Sequence, residues 1–182
     1  MNRVVLSGSD ILLMRKLSPK NKELSFDLNF NDDGNLNDIK YTVGHTCSPK
    51  KGNCSIQSLP GAVSAHTHPK GERVSSADLM VSIKKHPEFG GSRKLSFVIA
   101  PKGFYSYAPT EVIINKFKQL SPSMQLKLQK YIKWVGHQLQ DDTQNGNVSE
   151  FLTFVQELGF NISYHSYNSF LPTDNFVFKL DQ

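Results

Sequence analysis

The clearest pattern in the chain is an alternation of apolar and polar residues in LSFDLNF, Leu24–Phe30. Every second residue is apolar, which is typical of a strand with one buried face. The next residues, NDDGN, form turns readily, and LNDIKYTVGHT, residues 36–46, then contains β-prone residues. The pattern predicts a β-hairpin.

A helix and a further strand are predicted on either side of this hairpin. Ser9 and Asp10 come directly before an apolar segment, which predicts a capped helix that ends near Leu17. GAVSAHTH, residues 61–68, is small and β-prone and is predicted to enter the core as a strand.

Residues 75–109 predict one helix followed by two strands. Ser75 or Ser76 is the expected cap of the helix, which continues towards residue 86. KLSFVIAPKGFYSYAP, residues 94–109, contains two strands joined at Pro101–Gly103. The first of them is a continuous apolar run, as expected of a central strand.

A helical pattern begins after Pro109. Apolar residues at helical spacing define one face, and they are Met124, Leu128, Tyr131, Ile132, Val135 and Leu139. VSEFLTFVQELG predicts another helix that ends at Gly159, and NISYHSY with NFVFKL predicts a closing β-hairpin. His165, on the first strand of that hairpin, is expected to be structural.

In order, these elements predict an α/β fold: a mixed β-sheet flanked by helices, with a mainly helical C-terminal extension that ends in a β-hairpin. Residues 1–109 are predicted to form the core, and residues 110–182 an extension packed on it, with no function assigned. A length of 182 residues is sufficient for one domain with a buried core.

The sequence predicts neither a membrane span nor a secretory signal. No apolar run approaches the roughly 18 residues that a membrane helix needs. Near the N-terminus, Asp10, Arg15 and Lys16 interrupt the apolar residues, and no small-residue cleavage site follows. The default expectation is therefore an intracellular, cytoplasmic protein.

The net charge of +5 permits a weak attraction to acidic partners. The lysines are scattered along the chain, and no arginine-rich arm, zinc finger or aromatic RNA-binding motif accompanies them. A solvated basic surface is the favoured interpretation, and nucleic-acid binding is not expected.

The two cysteines, Cys47 and Cys54, flank a loop and lack the paired C-x-x-C spacing of common zinc sites. Free thiols in a reducing compartment are the favoured interpretation. A disulfide across the loop comes next, and a metal site that includes His45 comes last.

The segment SAHTHPKGERVSSAD contains the candidate chemistry. His66 and His68 end the predicted strand two residues apart, so their side chains point to the same face. Pro69 and Gly71 turn the chain, and Asp78 follows in the first turn of the predicted helix. Two imidazoles and one carboxylate suit zinc and leave a fourth position for water, as in catalytic rather than structural sites.

A bare H-x-H on a strand would favour a chance arrangement beside a helix cap. The combination of H-T-H-P at residues 66–69 with S-S-A-D at residues 75–78 is much more restrictive, and it resembles the JAMM (JAB1/MPN) metalloprotease motif. The turn between the two parts is one residue shorter than is usual in that family, at a place where length changes are tolerated. The resemblance covers roughly residues 2–109.

The resemblance implies a set of roles. His66, His68 and Asp78 would bind Zn²⁺, and Ser75 would donate a hydrogen bond to the zinc water and help to stabilise the tetrahedral oxyanion. The family also uses a glutamate well upstream of the histidines as general acid and base. Glu23 occupies a suitable position for this role.

Other interpretations of the acidic residues remain open. Glu23 could instead be a solvent-facing neighbour of Lys22, and Asp27 and Asp38 are weaker substitutes for it because their side chains are shorter. Glu72, within the turn, is expected to face solvent or substrate.

The resemblance implies a zinc-dependent peptidase or isopeptidase that acts on a protein or peptide, with ubiquitin-like conjugates among the candidate substrates. The alternative is a catalytically silent JAMM-fold module that serves a structural or binding role within a larger assembly. A nucleic-acid-associated role, as in RadC-type proteins with similar H-x-H-P turns, is the remaining alternative.

Overall fold

The protein combines helices with two β-sheets in a computed structural model that describes residues 2–46 and 61–180. Within these ranges the strands are β1 (Arg3–Ser7), β2 (Lys22–Phe30), β3 (Leu36–Thr46), β4 (Val63–Thr67), β5 (Leu95–Ile99), β6 (Gly103–Pro109), β7 (Phe160–Ser166) and β8 (Asn175–Lys179). The α-helices are α1 (Gly8–Leu17), α2 (Ser76–Lys84), α3 (Glu111–Lys118), α4 (Pro122–Gln138) and α5 (Ser149–Leu158). The predicted α/β class is confirmed.

The larger sheet has six strands in the order β3-β2-β4-β5-β6-β7. Only the β4–β5 pair is parallel among its described pairings, and helix α2 connects these two strands. A parallel pair requires such a crossover, whereas the antiparallel neighbours β2 and β3 are joined by the predicted turn. The motif strand β4 is therefore central in the sheet, and the motif helix α2 begins close to its carboxyl end.

The N-terminal strands and helices agree closely with the alternation and capping patterns. Strand β3 has the predicted bounds, Leu36–Thr46, and Ser75 is the cap of α2. Helix α1 begins earlier than expected, because Ser7 rather than Ser9 accepts the hydrogen bond from the Asp10 N–H. The first strand, β1, was not predicted.

The predicted C-terminal hairpin is wrong, although both of its strands exist. β7 pairs along its whole length with β6, and β8 pairs with β1 in a separate two-stranded sheet. The apolar residues explain the separation, because Phe160 and Ile162 of β7 join one hydrophobic cluster while Phe176 and Phe178 of β8 pack against another. Residues 110–182 thus contribute a strand to each sheet.

Two hydrophobic clusters cover opposite faces of the larger sheet. One is built from α2, β6, α3, α5 and β7, and the other from β1, α1, β2, β4 and β5. The apolar face predicted on α4 joins the first cluster only in part: Ile132 is buried, Leu128 packs against the cluster, and Tyr131 remains half exposed. His165 stacks on Phe104, which agrees with its expected structural role.

Candidate metal centre

Strand β4 places the two motif histidines on one face of the sheet. In its ladders His66 lies opposite Ser25 of β2 and Val98 of β5. The chain remains extended after the strand, because the His68 N–H donates to the Ile99 carbonyl oxygen at 2.9 Å. The two imidazoles therefore leave neighbouring positions in the same direction, as the i, i+2 spacing predicted.

Helix α2 supplies the carboxylate through its own cap. The Ser75 hydroxyl accepts from the Asp78 N–H, and the Asp78 carboxylate accepts from the Ser75 N–H, both at 3.0 Å. This reciprocal capping box satisfies two backbone donors at the start of the helix. It also fixes Asp78 in the first turn, where the helix dipole favours a negative charge.

The three side chains converge on one point. The His66 Nε2 and His68 Nε2 atoms are 3.0 Å apart; His66 Nε2 lies 3.3 Å from Asp78 Oδ1, and His68 Nε2 lies 3.3 Å from Asp78 Oδ2. A tetrahedral ion with bonds of about 2.0–2.1 Å separates its ligands by about 3.3 Å, which is close to the spacing of the two imidazole nitrogens and to the distance from each of them to its nearer carboxylate oxygen. His66, His68 and Asp78 form a group that could hold a metal ion.

Burial and mutual attraction shift the titration of this group. Burial lowers the pKa of His68, but the hydrogen bond and charge of Asp78, helped by Glu23, outweigh it and raise that pKa to about 9. Burial raises the pKa of Asp78, yet the two histidines lower it well below its usual range. Without a metal, the site therefore holds a positive imidazolium beside a negative carboxylate.

A main-chain carbonyl that the sequence analysis did not identify orients the ring of His68. The His68 Nδ1 atom lies 3.0 Å from the Glu72 carbonyl oxygen, which can only accept. In the neutral imidazole this contact places the proton on Nδ1 and leaves the lone pair of Nε2 for a metal ion. The exposed Glu72 side chain lines the cleft, as expected for a residue facing solvent or substrate.

Glu23 lies beside the three candidate ligands. It is 8% exposed, and its Oε1 atom is 4.0 Å from the His68 Nε2 atom. Burial raises its pKa, and the nearby histidines only partly oppose this. The strand register shifts at this residue, and the Leu24 N–H donates to the Thr67 hydroxyl at 2.9 Å, which joins β2 to the histidine strand.

Glu23 lies beside the histidines, whereas the two weaker candidates for the general acid and base, Asp27 and Asp38, do not. Asp27 and Asp38 pair with Lys40 and Asn29 in the β2–β3 ladder, and neither lines the cleft that contains the histidines. Thr67, whose hydroxyl accepts from the Leu24 N–H, was not identified from the sequence. Its position between the two histidines on a strand places its side chain on the opposite face of the sheet.

The candidate centre opens into a cleft of about 990 Å³. Ser75 and Ser76 line it next to Asp78, and α4 contributes the opposite wall with residues that include Lys133 and His137. The cleft is therefore formed by both the segment 1–109 and the segment 110–182.

The alternatives for the cysteines cannot be placed in the fold, because Cys47, Cys54 and the side chain of His45 lie outside the described residues.

Comparisons with known proteins return no relative of this chain: no protein-family model, no curated protein and no solved structure matches it. The JAMM resemblance thus depends on the motif residues alone and remains a prediction.

Within residues 2–46 and 61–180, none of the helices combines the length and apolar character needed to cross a membrane.

Proposed function

We propose that the protein is a zinc-dependent peptidase or isopeptidase with a JAMM-like fold. The observation that carries the proposal is the triangle of His66, His68 and Asp78, with the buried carboxyl of Glu23 next to it. Three ligands leave one coordination position open, and a carboxyl beside an open position is the arrangement that metal-assisted hydrolysis uses.

The choice of zinc follows from the donor atoms. Two imidazole nitrogens and one carboxylate oxygen are typical zinc ligands, whereas calcium and magnesium prefer sites made entirely of oxygen atoms. The short distance of 3.0 Å between the two Nε2 atoms favours a small ion with short bonds as well. The Glu72 carbonyl adds the outer hydrogen bond that metal-binding histidines usually make.

The residues around the triangle can carry out amide hydrolysis. When bound, zinc supplies an activated water and polarises the scissile carbonyl. Glu23, whose raised pKa suits proton exchange nearer neutral pH, takes a proton from the attacking water and passes it to the departing amine. That amine is either a lysine ε-amine or a backbone amine.

Ser75 is proposed to stabilise the developing oxyanion. Its oxygen accepts the Asp78 N–H in the helix cap, and this leaves the hydroxyl proton to be donated. Ser75 lines the cleft, so a substrate carbonyl within the cleft can receive that hydrogen bond. The substrate is a protein or peptide segment, and a ubiquitin-like conjugate is one candidate.

The deciding experiment measures zinc per chain by elemental mass spectrometry, together with hydrolysis of peptide and isopeptide substrates. The wild type is compared with a His66→Ala, His68→Ala double variant. One zinc ion per wild-type chain, no zinc in the variant and zinc-dependent hydrolysis by the wild type alone would support the proposal. A wild type that takes up no zinc after reconstitution would exclude it.

A silent binding module within a larger assembly is the second candidate, and helix α4 favours it. Its side chains Leu126, Tyr131 and Trp134 are more than half exposed, at 52%, 51% and 63%. Exposed aromatic residues are enriched at protein interfaces. Zinc binding without hydrolysis of any amide, in a protein that assembles with a partner through α4, would favour this candidate.

A further inference from the structure

The turn between His68 and Asp78 has little secondary structure of its own. Residues 69–74 form neither helix nor strand. Yet this turn contains the Glu72 carbonyl, whose oxygen lies 3.0 Å from the His68 Nδ1 atom. The position of that carbonyl affects the orientation of the imidazole ring, so contacts that hold the turn also affect the ring.

The next residue, Arg73, attaches the turn to the C-terminal segment. Its Nη2 atom donates to the Gly136 carbonyl oxygen at 2.7 Å, and its Nη1 atom donates to Asp141 Oδ2 at 3.4 Å. Its guanidinium carbon also lies 5.1 Å from the centre of the Phe151 ring. All three contacts connect the turn to α4, to the loop after it or to α5.

Asp141 is itself fixed in place. Its side chain is 1% exposed, and its carboxylate accepts hydrogen bonds from the Glu150 and Phe151 N–H groups at the start of α5. A buried carboxylate requires such donors and a counter-charge, and Arg73 supplies the charge. On the side of the C-terminal segment, the partner of Arg73 is therefore held by two main-chain hydrogen bonds.

We infer that Arg73 and Asp141 are positioning residues for the metal centre: they hold the Glu72 carbonyl, and through it the ring of His68, in the orientation that binds the metal. This inference rests on the proposed metal centre. It assigns residues 136–151 a role in metal affinity, although none of them is a candidate ligand. Since α4 also forms one wall of the cleft, one segment orients the metal ligand and shapes the substrate site.

The test is the zinc affinity of the full chain, measured by competition with a chromophoric chelator. The decisive variant is the Arg73→Gln, Asp141→Asn pair, which removes both charges together and leaves no unpaired buried ion. The single variant Arg73→Lys keeps the charge but loses the forked geometry. Glu88→Gln, which breaks the exposed Lys118–Glu88 pair, is the matched control.

Loss of an outer-shell contact typically weakens metal binding by about 10- to 100-fold. We expect a loss of that size in the double variant, a smaller loss in Arg73→Lys and none in Glu88→Gln. Cobalt bound in place of zinc should also show an altered visible absorption spectrum in the double variant, since the spectrum reports the ligand geometry. Loss of stability alone would change neither the affinity of the folded protein nor this spectrum.

The outcomes separate this inference from the proposed function. If the wild type binds zinc and the folded double variant binds it equally tightly with an unchanged cobalt spectrum, the positioning role is excluded and the metal centre stands. If the wild type binds no zinc, both proposals fail. Should the double variant not fold, an unchanged affinity and spectrum in Arg73→Lys would overturn the inference, and a weakened affinity with an altered spectrum would support it.

Discussion

Glu23 is the residue in which burial and chemistry are most closely linked. A carboxyl removed from water holds its proton more tightly, and the pKa of Glu23 is raised for this reason. Solvent exposure at the start of a strand would have left it an ordinary surface acid. The shifted strand register and the bond between the Leu24 N–H and Thr67 instead place it beside His68.

Replacement of this carboxyl should separate catalysis from metal binding. We expect Glu23→Gln to lower kcat for amide hydrolysis by about 10²- to 10⁴-fold, because the amide cannot accept and return a proton. Zinc content should stay at the wild-type level, since Glu23 is not one of the three candidate ligands. Kinetics and elemental analysis on the same sample test this. Unchanged kcat would remove Glu23 from the mechanism.

His68 should make zinc affinity depend on pH. Its pKa of about 9 means that the metal-free site carries a proton at neutral pH, which zinc must displace. The affinity should therefore rise about tenfold per pH unit from neutral pH to about pH 9 and then level off. Chelator competition at several pH values, with parallel measurement of proton release, checks this. An affinity independent of pH over that range would contradict the shift.

The raised pKa of His68 also makes the stability of the metal-free protein depend on pH. The folded pKa of His68 lies above the usual value of 6.5, so its stabilising contribution is complete below pH 6.5 and is lost as the pH rises through about 9. We expect the free energy of unfolding of chelator-treated protein to decrease across this window. Urea denaturation at several pH values measures it, with the His68→Ala variant as the control that should lack this decrease.

At the scale of elements, one capping motif occurs twice and serves two purposes. Ser7 and Asp10 form a capping box at α1, and Ser75 and Asp78 form the same box at α2. Either serine should contribute about 0.5–2 kcal/mol to stability through its cap. Only the second box contains a candidate metal ligand, Asp78.

This repetition provides an internal control. We expect Ser75→Ala and Ser7→Ala each to lower the free energy of unfolding by about 1 kcal/mol. Only Ser75→Ala should also reduce kcat, because it removes the donor proposed for the oxyanion. Denaturation and kinetics of both variants test the difference. Equal kcat values in both variants would show that Ser75 acts only as a helix cap.

Local sequence patterns predicted where the helices and strands lie better than they predicted which strands pair with each other. The alternation in Leu24–Phe30 and the turn after it were sufficient for the hairpin of β2 and β3, because both strands and their connection are adjacent in sequence. β7 and β8 are also near each other, but each pairs with a distant strand. That choice depends on which hydrophobic cluster receives their side chains, and one strand's sequence does not contain this information.

In the candidate site, too, the features set by local sequence were predictable and the contacts between distant segments were not. The spacing of His66, His68 and Asp78 was sufficient to predict their convergence, since a strand places i and i+2 on one face and a helix cap fixes the third residue. The Glu72 carbonyl was not predictable, because every residue has one. The Arg73–Asp141 contact joins residues far apart in sequence, and no local pattern indicates such a pair.

At the scale of the whole molecule, the segments 1–109 and 110–182 share one hydrophobic cluster. Tyr105 and Tyr107 of β6 pack in it with residues of α3, α5 and β7. A chain that ends at Pro109 would expose these rings, leave one edge of β6 unpaired and deprive β1 of its partner β8. Loss of this much apolar burial exceeds the usual net stability of a domain.

We therefore expect residues 1–109 alone not to fold cooperatively, despite containing every candidate ligand. Thermal circular dichroism should show no sigmoidal transition, and amide NMR signals should be poorly dispersed. Co-expression of 110–182 as a separate chain is the control, because it restores β7, β8 and the contacts of Arg73 without the covalent connection. A cooperative transition and one bound zinc in residues 1–109 alone would show that the second segment is dispensable for the fold and for the metal centre.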